Sequence, residues 1–191
     1  MKQTIQQALL QLLLTKPLRH ISVKEITIEA NIHRSTFYAY YSSKEMLYDS
    51  LIEDTLFELE NAIQPTASIT FAEIQKLYKE RNRSLNEALS FLQHIEANEL
   101  TYRVLLHDIQ FQRQFAMVIH ESMMLGDILP LIQAKHLAYG AIGLIEEWLQ
   151  NKDKYTVEEI AHYLTRINIH ALIDYENQKS LKASISSINK A

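Results

Sequence analysis

Residues 22–45 constrain the fold more than any other part of the chain, because they place two helix-start signals around a short aromatic-rich segment. Ser22 and Glu25 have the spacing of a capping box, in which both side chains accept hydrogen bonds from backbone N–H groups at the helix start. Ser42 and Glu45 repeat this spacing and predict the start of another helix. The segment therefore predicts two short helices followed by a longer one.

A sharp turn is predicted between the two short helices, at residues 31–33. Asparagine is one of the few residues besides glycine that tolerate a left-handed backbone conformation, so Asn31 is expected to adopt it. The apolar positions on either side predict which side chains enter the core, namely Ile26, Ala30, Phe37 and Tyr41. Two short helices joined in this way form a helix-turn-helix.

The rest of the sequence predicts an all-α protein. Only three of the 191 residues are glycine and three are proline, and the abundant leucine, alanine, glutamate and lysine favour helices. Apolar residues at helical spacing predict further helices near 85–97, 99–108, 111–125 and 130–150. Thr156 and Glu159 predict a capped start for a last long helix, followed after Asn177 by a polar, serine-rich tail whose end is expected to fray.

Charge is divided unevenly along the chain. The formal net charge is −4, yet residues 1–50 hold six basic and four acidic side chains and carry a net charge of +2. A mildly basic N-terminal part on an acidic body is expected where only that part meets the phosphates of a nucleic acid. The sequence therefore predicts a helix-turn-helix DNA-binding domain at 1–50 and a second, all-helical domain at 51–191.

Several other classes of function are disfavoured. The chain has no cysteine, and hence no disulfide or thiolate metal site. No apolar run approaches the ~18 residues of a membrane span, and no signal-peptide pattern opens the chain, so a cytoplasmic protein is expected. His107, Asp108 and His120 lack the i, i+4 spacing of a helical zinc pair. With no phosphate-binding loop or nucleophile motif either, we expect no metal, no cofactor and no enzymatic activity.

The second helix of the motif carries the candidate contacts to DNA. A helix-turn-helix presents the first residues of this helix to base edges in the major groove, here His33, Arg34, Ser35 and Thr36. Arg34 can pair with a guanine edge through two hydrogen bonds or contact a phosphate, and the sequence favours neither role. Tyr38 and Tyr40 are expected to donate to phosphate oxygens, since so short a helix cannot bury all its aromatic side chains on one side.

Three further contacts are predicted around that helix. Lys44 lies in the first turn of the following helix, where the helix dipole disfavours a cation, and an external anion such as a phosphate would explain it. Ser22 and Lys24 lie at the start of the first helix of the motif and are predicted to contact the opposite strand.

Residues 5–51 resemble the DNA-binding domain of the TetR/AcrR family of bacterial transcriptional regulators. The family's run of small residue, glycine, aliphatic, serine, basic, small, threonine, aromatic-tyrosine, aromatic and Ser-Lys-Glu is matched by ANIHRSTFYAYYSSKE at residues 30–45. Asn31 replaces the usual turn glycine. His33 replaces the usual serine cap, which leaves the helix less well capped or contacted through an imidazole. Ala39 stands where a polar residue is common, which would remove one contact to DNA.

The resemblance implies a C-terminal domain that dimerises through its last two long helices and encloses a ligand pocket. Gly140 and Gly143 support close helix approach independently, since each costs about 1 kcal/mol relative to alanine inside a helix. The approaching helix can belong to a partner or to the same chain. The predicted interface comprises Ala138, Gly140, Ala141, Gly143, Ile145, Trp148, Leu164, Ile167 and Ala171. The predicted pocket residues, each of which can equally be ordinary core, are Tyr78, Phe91, His94, Tyr102, His107, Phe111, Met117 and His120.

The sequence thus predicts a homodimeric TetR-like repressor that binds a palindromic operator in double-stranded DNA and is released by a small-molecule effector. One alternative is a TetR-like activator that is controlled by a protein partner. Another is an interaction module that no longer binds DNA, which the acidic net charge and Ala39 would fit.

Overall fold

A computed structural model describes residues 1–62, 76, 79, 86–123 and 130–188, and all regular structure in those residues is helical. The predicted pocket residue Tyr78 lies outside them. In chain order the α-helices are α1 (Lys2–Leu13), α2 (Val23–Glu29), α3 (Arg34–Tyr40), α4 (Lys44–Ala62), α5 (Asn86–Ala97), α6 (Glu99–Leu105), α7 (Ile109–Met123), α8 (Leu131–Gln150) and α9 (Val157–Ile188). A 3-10 helix, Leu18–His20, lies between α1 and α2. The all-α prediction is confirmed, and none of the described helices is long and apolar enough to cross a membrane.

The predicted capping box at the start of α2 is present. The Ser22 Oγ accepts from the Glu25 N–H at 3.3 Å, and the Glu25 carboxylate accepts from the Ser22 N–H at 2.9 Å. Lys16 forms an ion pair with the same carboxylate. Hydrogen bonds from Lys16 and then from Ser22 lower the pKa of Glu25 to about 2. The start of α2 is therefore held by a network that also ties it to the end of α1.

Asn31 makes the turn between α2 and α3, as predicted. Its φ of 51° is the one positive value at a non-glycine position in the described part of the chain. The Ile32 N–H donates to the Thr27 carbonyl at 2.9 Å, and the Asn31 N–H donates to the Ile28 carbonyl at 3.0 Å. This pair of bonds is the Schellman motif, which satisfies the last carbonyls of a helix when the next residue is left-handed.

The start of α4 differs from the prediction by one residue. Ser43, not Ser42, precedes the helix, and its Oγ accepts from the Met46 N–H at 3.1 Å. The spacing of serine to the third helical residue is kept, but the serine pair at 42–43 offered two possible caps. The predicted Ser42–Glu45 box is therefore wrong.

One contiguous hydrophobic core runs through the described helices and includes Ile26, Ala30, Phe37 and Tyr41 as predicted. Helix α4 connects the two ends of this core, because it packs against α1 on one side and against α5 and α7 on the other. Its Lys2–Asp54 ion pair, 2.8 Å long, holds α1 against it. The predicted domain boundary at residue 50 falls inside this continuous helix.

Helix α9 is longer than predicted. The Thr156–Glu159 capping box is present, with the Thr156 Oγ1 accepting from the Glu159 N–H at 3.2 Å and the carboxylate accepting from the Thr156 N–H at 2.8 Å. The helix then continues for 32 residues to Ile188, which is about 48 Å at 1.5 Å per residue. The polar tail predicted after Asn177 is helical over residues 178–188, because serine and lysine do not end a helix that has no glycine or proline to stop it. The predicted fraying of the tail's end concerns residues 189–191, which lie outside the described residues.

Candidate DNA-binding interface

Helix α3 divides its aromatic side chains between core and surface. Phe37 is fully buried and Tyr41 is 7% exposed. Tyr38 and Tyr40, by contrast, are 46% and 52% exposed. The predicted separation of core and surface tyrosines is confirmed. The Tyr38 ring still packs edge-to-face against Phe37, with ring centroids 5.5 Å apart, while about half of the side chain is exposed.

Arg34 and Tyr38 form a pair on this surface, one turn apart. The Arg34 Nη2 donates to the Tyr38 hydroxyl oxygen at 3.0 Å, and the guanidinium carbon lies 5.4 Å from the centroid of the tyrosine ring. The cation is thereby held over an aromatic face. Because the Tyr38 oxygen accepts this bond, its own O–H stays available to donate to an acceptor outside the protein. Ser35 is exposed beside the pair and Thr36 is half-buried.

His33 occupies the N-cap position of α3 and makes no side-chain capping bond. Its carbonyl accepts from the Thr36 and Phe37 N–H groups, but its exposed imidazole bonds to none of the N–H groups of the first turn. Of the two outcomes predicted for this departure from the family pattern, weaker capping matches the geometry. A contact from the imidazole to DNA stays a prediction.

Ser22 and Lys24 are both exposed, but they differ in what they can still bind. The Ser22 hydroxyl donates to the Glu25 carboxylate at 2.8 Å and accepts from the Glu25 N–H, so its proton is already engaged. Lys24 forms no ion pair with any described residue. Lys24 is therefore the better phosphate contact of the two.

Lys44 is not a free cation, which corrects the prediction that an external anion explains it. Its Nζ donates to the carbonyl oxygens of Leu18 at 2.8 Å, Arg19 at 3.3 Å and Ile21 at 2.7 Å. An ammonium has three protons to donate, and the side chain is only 18% exposed. The lysine is stabilised against the helix dipole by three backbone carbonyl groups of the chain itself.

A shallow open groove of about 460 Å³ adjoins the outer face of α3. It is lined by Arg19, His20, Ile21, Ser22, Val23, Tyr38, Ser42, Ser43, Lys44 and Glu45. The groove brings together Ser22, Tyr38 and Lys44, which the sequence placed on three different elements. It also contains Arg19 and His20, which the sequence prediction missed. The signal available was two basic-type residues in the short segment between Pro17 and the α2 cap.

The head, residues 1–50, keeps few cations free for an external partner. Lys2 pairs with Asp54 and Lys16 with Glu25, while Lys44 is bound to carbonyl groups. The remaining basic side chains of the head are Arg19, Lys24 and Arg34. Three of the six basic side chains of the head are therefore engaged within the chain, and the exposed carboxylates of Glu29, Glu45 and Asp49 lie in the same residue range.

Four of the predicted pocket residues lie close together in the core of the body. Phe91, Tyr102 and Phe111 are buried and pack with Phe115, with ring centroids 5.6 to 6.3 Å apart. His94 bonds to the Tyr102 hydroxyl at 3.0 Å, and burial lowers the pKa of His94.

The other three described members of the predicted pocket set differ in exposure. His107 and Met117 are exposed, which contradicts a lining role for them, while His120 is half-buried. The aromatic members of the predicted set belong to the hydrophobic core, and a role for them in binding a ligand stays a prediction.

The predicted dimer residues are divided between two faces. Ala138, Ala141, Ile145, Trp148 and Leu164 are at most 5% exposed within the single chain, so they cannot contact a partner and their assignment is wrong. Gly140, Gly143 and Ile167 are exposed and Ala171 is half-buried. The small-residue surface predicted from four residues therefore consists of the two glycines alone.

Comparison with known proteins supports one family from two directions. Residues 83–170 match the family model TetR_C_8, a transcriptional regulator C-terminal region. The HTH-type transcriptional regulator YxbF of Bacillus subtilis (strain 168) is 26% identical over 125 residues. That match covers 65% of this chain and 31% of the relative, so the chain spans about a third of the length of this curated relative.

Solved structures share the fold. A TetR transcriptional regulator from Streptococcus agalactiae 2603V has a TM-score of 0.60 at 24% identity, covering 87% of this chain and 92% of that one. The dihydroxyacetone kinase operon activator DhaS has a TM-score of 0.56 at 17% identity, covering 90% of this chain and 95% of that one.

A helix-turn-helix head joined to a larger helical body is the architecture of a transcriptional regulator. Within that class, the comparisons point to the TetR family, whose C-terminal model matches residues 83–170 of this chain. The resemblance in residues 5–51 and the family match at residues 83–170 lie in different parts of the chain and name the same family.

Proposed function

We propose that this TetR-family regulator binds duplex DNA with α3 in the major groove. The observation that carries the proposal is the exposed Arg34–Tyr38 pair. Arg34 keeps further N–H donors for a guanine edge or a phosphate, and Tyr38 keeps its hydroxyl proton. Arg19 and Lys24 add positive charge beside the same face, whereas the body is acidic.

Arg34→Ala and Tyr38→Phe test the interface. A mobility-shift or anisotropy measurement uses the duplex directly upstream of the encoding gene. Loss of a bidentate base contact by Arg34 is expected to weaken operator binding by about 1–3 kcal/mol, and Tyr38→Phe is expected to weaken it less. Arg113→Ala, an exposed arginine on α7, is the matched control. Unchanged affinity in both head variants would contradict the assignment.

A mixed-sequence duplex separates the two roles left open for Arg34. A guanine contact predicts that Arg34→Ala weakens operator binding and leaves mixed-sequence binding unchanged. A phosphate contact predicts equal weakening of both, because phosphate contacts carry no sequence information. Absence of any salt-dependent duplex binding by the unmodified protein would instead favour the interaction module.

The proposal includes a homodimer formed by the outward faces of α8 and α9. A Cβ added to Gly140 or Gly143 meets no heavy atom within 4 Å, so the chain's own helices do not explain why glycine is needed there. Tyr139, Tyr163 and Ile167 are exposed on the same two helices. An apolar face with room for close approach fits a second copy, and two-fold symmetry would place two α3 helices on successive major grooves. Sedimentation velocity measures the oligomeric state directly.

We further propose that the dimer represses its target and is released by a small-molecule effector. Such an effector shifts the population toward a dimer whose α3 spacing no longer matches the operator, by the difference in its affinity for the two states. Deleting the gene is then expected to raise expression of an upstream-promoter reporter. An effector from a metabolite panel is expected to raise the melting temperature and to weaken the gel shift.

The second candidate is an activator controlled by a protein partner. It is favoured by the filled aromatic cluster in the body, where Phe91, Tyr102, Phe111 and Phe115 pack against one another. DhaS, which has a similar fold, is an operon activator. Deletion would in this case lower reporter expression, and a metabolite panel would leave the melting temperature unchanged.

A further inference from the structure

The 3-10 segment Leu18–His20 holds the one basic cluster of the head that the helix-turn-helix motif does not account for. Arg19 and His20 are both exposed and both line the groove beside α3. The Arg19 Nε donates to the His20 Nε2 at 3.4 Å, and the terminal nitrogens of the guanidinium bond to no described residue. A cation with free donors therefore lies in the same groove as the Tyr38 hydroxyl.

The backbone that carries Arg19 is fixed by Lys44. The three carbonyl groups that Lys44 binds belong to Leu18, Arg19 and Ile21, so they span the segment from its first residue to its C-cap. A 3-10 segment this short has few internal hydrogen bonds of its own, here from the His20 N–H to Pro17 and from the Ile21 N–H to Leu18. Removing the ammonium would take a donor from all three carbonyl groups and leave only the Leu18 carbonyl with a backbone partner among the described residues, the Ile21 N–H, so that Arg19 would be held less firmly.

The Arg19 side of the groove carries a positive charge that can attract an anion. Glu45 also lines it, but its carboxylate lies 3.9 Å from the Lys44 Nζ and is largely exposed. The acidic Glu25 at the same helix start is paired with Lys16 and with Ser22. Arg19 is thus the cation of the groove that no carboxylate compensates within the described residues.

We infer that Arg19 contacts a DNA phosphate flanking the recognition helix and that Lys44 acts as the positioning residue that holds Arg19 there, rather than as a DNA contact itself. The inference rests on the proposed DNA binding. The DNA backbone would then be contacted by Tyr38 on α3 and by Arg19 in the segment before α2.

Salt dependence tests the inference. Log affinity falls linearly with log salt concentration, and each lost phosphate contact lowers the magnitude of this slope, called the slope below, by about 0.9 per bound head. The probe is a fluorescent mixed-sequence 30-base-pair duplex, titrated with the full chain in rising KCl. Arg19→Ala is expected to lower the slope by about 0.9 per bound head, twice that for a dimer bound through both heads, and to leave the melting temperature unchanged. Arg113→Ala is the control and is expected to change neither quantity.

Lys44→Met is expected to lower both the slope, by the same amount, and the melting temperature of the free protein. The double variant with Arg19→Ala is expected to lower the slope no further than Lys44→Met alone. A decrease of about 1.8 per bound head in the double variant, twice that of Arg19→Ala alone, would make Lys44 a phosphate contact in its own right and overturn the positioning role. An unchanged slope for Arg19→Ala would overturn the contact.

Lys44→Arg keeps the test decisive if Lys44→Met does not fold. A planar guanidinium cannot reproduce three bonds from one nitrogen, so a positioning role predicts a lowered slope and a lowered melting temperature. A direct phosphate contact predicts that arginine retains the slope. If the unmodified chain does not bind the duplex at any salt concentration, the proposed function itself fails, which is a different result from an unchanged slope in a binding variant.

Discussion

The head around α3 and the outer faces of α8 and α9 are both exposed, yet they differ in what holds their surface side chains. In the head, Arg34 rests on Tyr38 and Lys44 binds three carbonyl groups, so polar groups are arranged by other polar groups. On α8, Gly140 and Gly143 leave open space and nothing in the described chain fills it. A surface with prearranged donors fits a charged partner, and a bare helix surface fits another helix.

The largest effect on stability is expected for a core residue of the head. Phe37→Ala removes a fully buried ring and is expected to cost about 3–5 kcal/mol of unfolding free energy. Tyr38→Ala, the adjacent aromatic, is the matched control and is expected to cost only about 0.5–1.5 kcal/mol, mainly the edge-to-face contact of its ring with Phe37, while weakening DNA binding. Urea denaturation and duplex titration of both variants measure this separation. Equal stability losses would show that the two rings do not serve different roles.

The glycines of α8 allow a test of whether this surface is a dimer interface, because the direction of the change in the dimer dissociation constant decides it. The double variant Gly140→Ala/Gly143→Ala improves helix propensity by about 2 kcal/mol in total, with no clash inside the chain. If the face is a dimer interface, the added methyl groups are nevertheless expected to raise the dimer dissociation constant. Sedimentation equilibrium measures it, and Gln133→Ala on the same helix is the control. A dimer that is unchanged or tightened would place the interface elsewhere.

A smaller effect on stability is expected where the head, residues 1–50, contacts the rest of the chain. The Tyr48 hydroxyl on α4 donates to the Asp108 Oδ2 at 2.7 Å, and the other oxygen of Asp108 caps α7 by accepting from the Gln110 N–H. Tyr48→Phe is expected to lower the unfolding free energy by about 1.5 kcal/mol, the lower value for a bond to a charged acceptor. Tyr40→Phe, an exposed hydroxyl on α3, is the control. Identical urea midpoints would mean that this link between head and body contributes nothing.

The smallest expected effect is a pH dependence confined to the head. Because the folded-state pKa of Glu25 is lowered from 4.5 to about 2, its contribution to stability is present above about pH 4.5 and is lost as pH falls toward 2. The difference in melting temperature between the unmodified protein and Glu25→Gln is therefore expected to be constant above pH 5 and to vanish near pH 2. Glu29→Gln on the same helix is the control, and a difference that persists at pH 2 would contradict the assignment.

Local rules predicted the head well because its elements depend on neighbours in sequence. The capping box at Ser22 and the left-handed Asn31 each follow from residues within a few positions of one another. Lys44 could not be predicted in this way, since its three partners lie 23 to 26 residues earlier in the chain. A cation in the first turn of a helix signals that some acceptor is present, but it does not say whether that acceptor is a phosphate or a carbonyl group.

The body shows a second limit of sequence reasoning. Helical spacing groups Ala138, Ala141 and Ile145 on one stripe, and the structure buries that stripe. Gly140 is two residues from Ala138, about 200° around a helix of 3.6 residues per turn, and therefore faces the other way. Their small size suggested that the alanines and glycines of α8 share one surface. Their angular positions instead place the alanines on the buried face and the glycines on the exposed face.

Lys44 also determines how the head responds to ionic strength. Its partners are neutral carbonyl dipoles at short range and the side chain is mostly shielded from water, so dissolved ions screen these bonds far less than they screen exposed charges. Contacts between exposed cations and phosphates, by contrast, weaken steeply with salt. Concentrated salt is therefore expected to dissociate the protein from DNA while the head stays folded. Protein eluted from DNA by salt is then expected to bind again once the salt is removed.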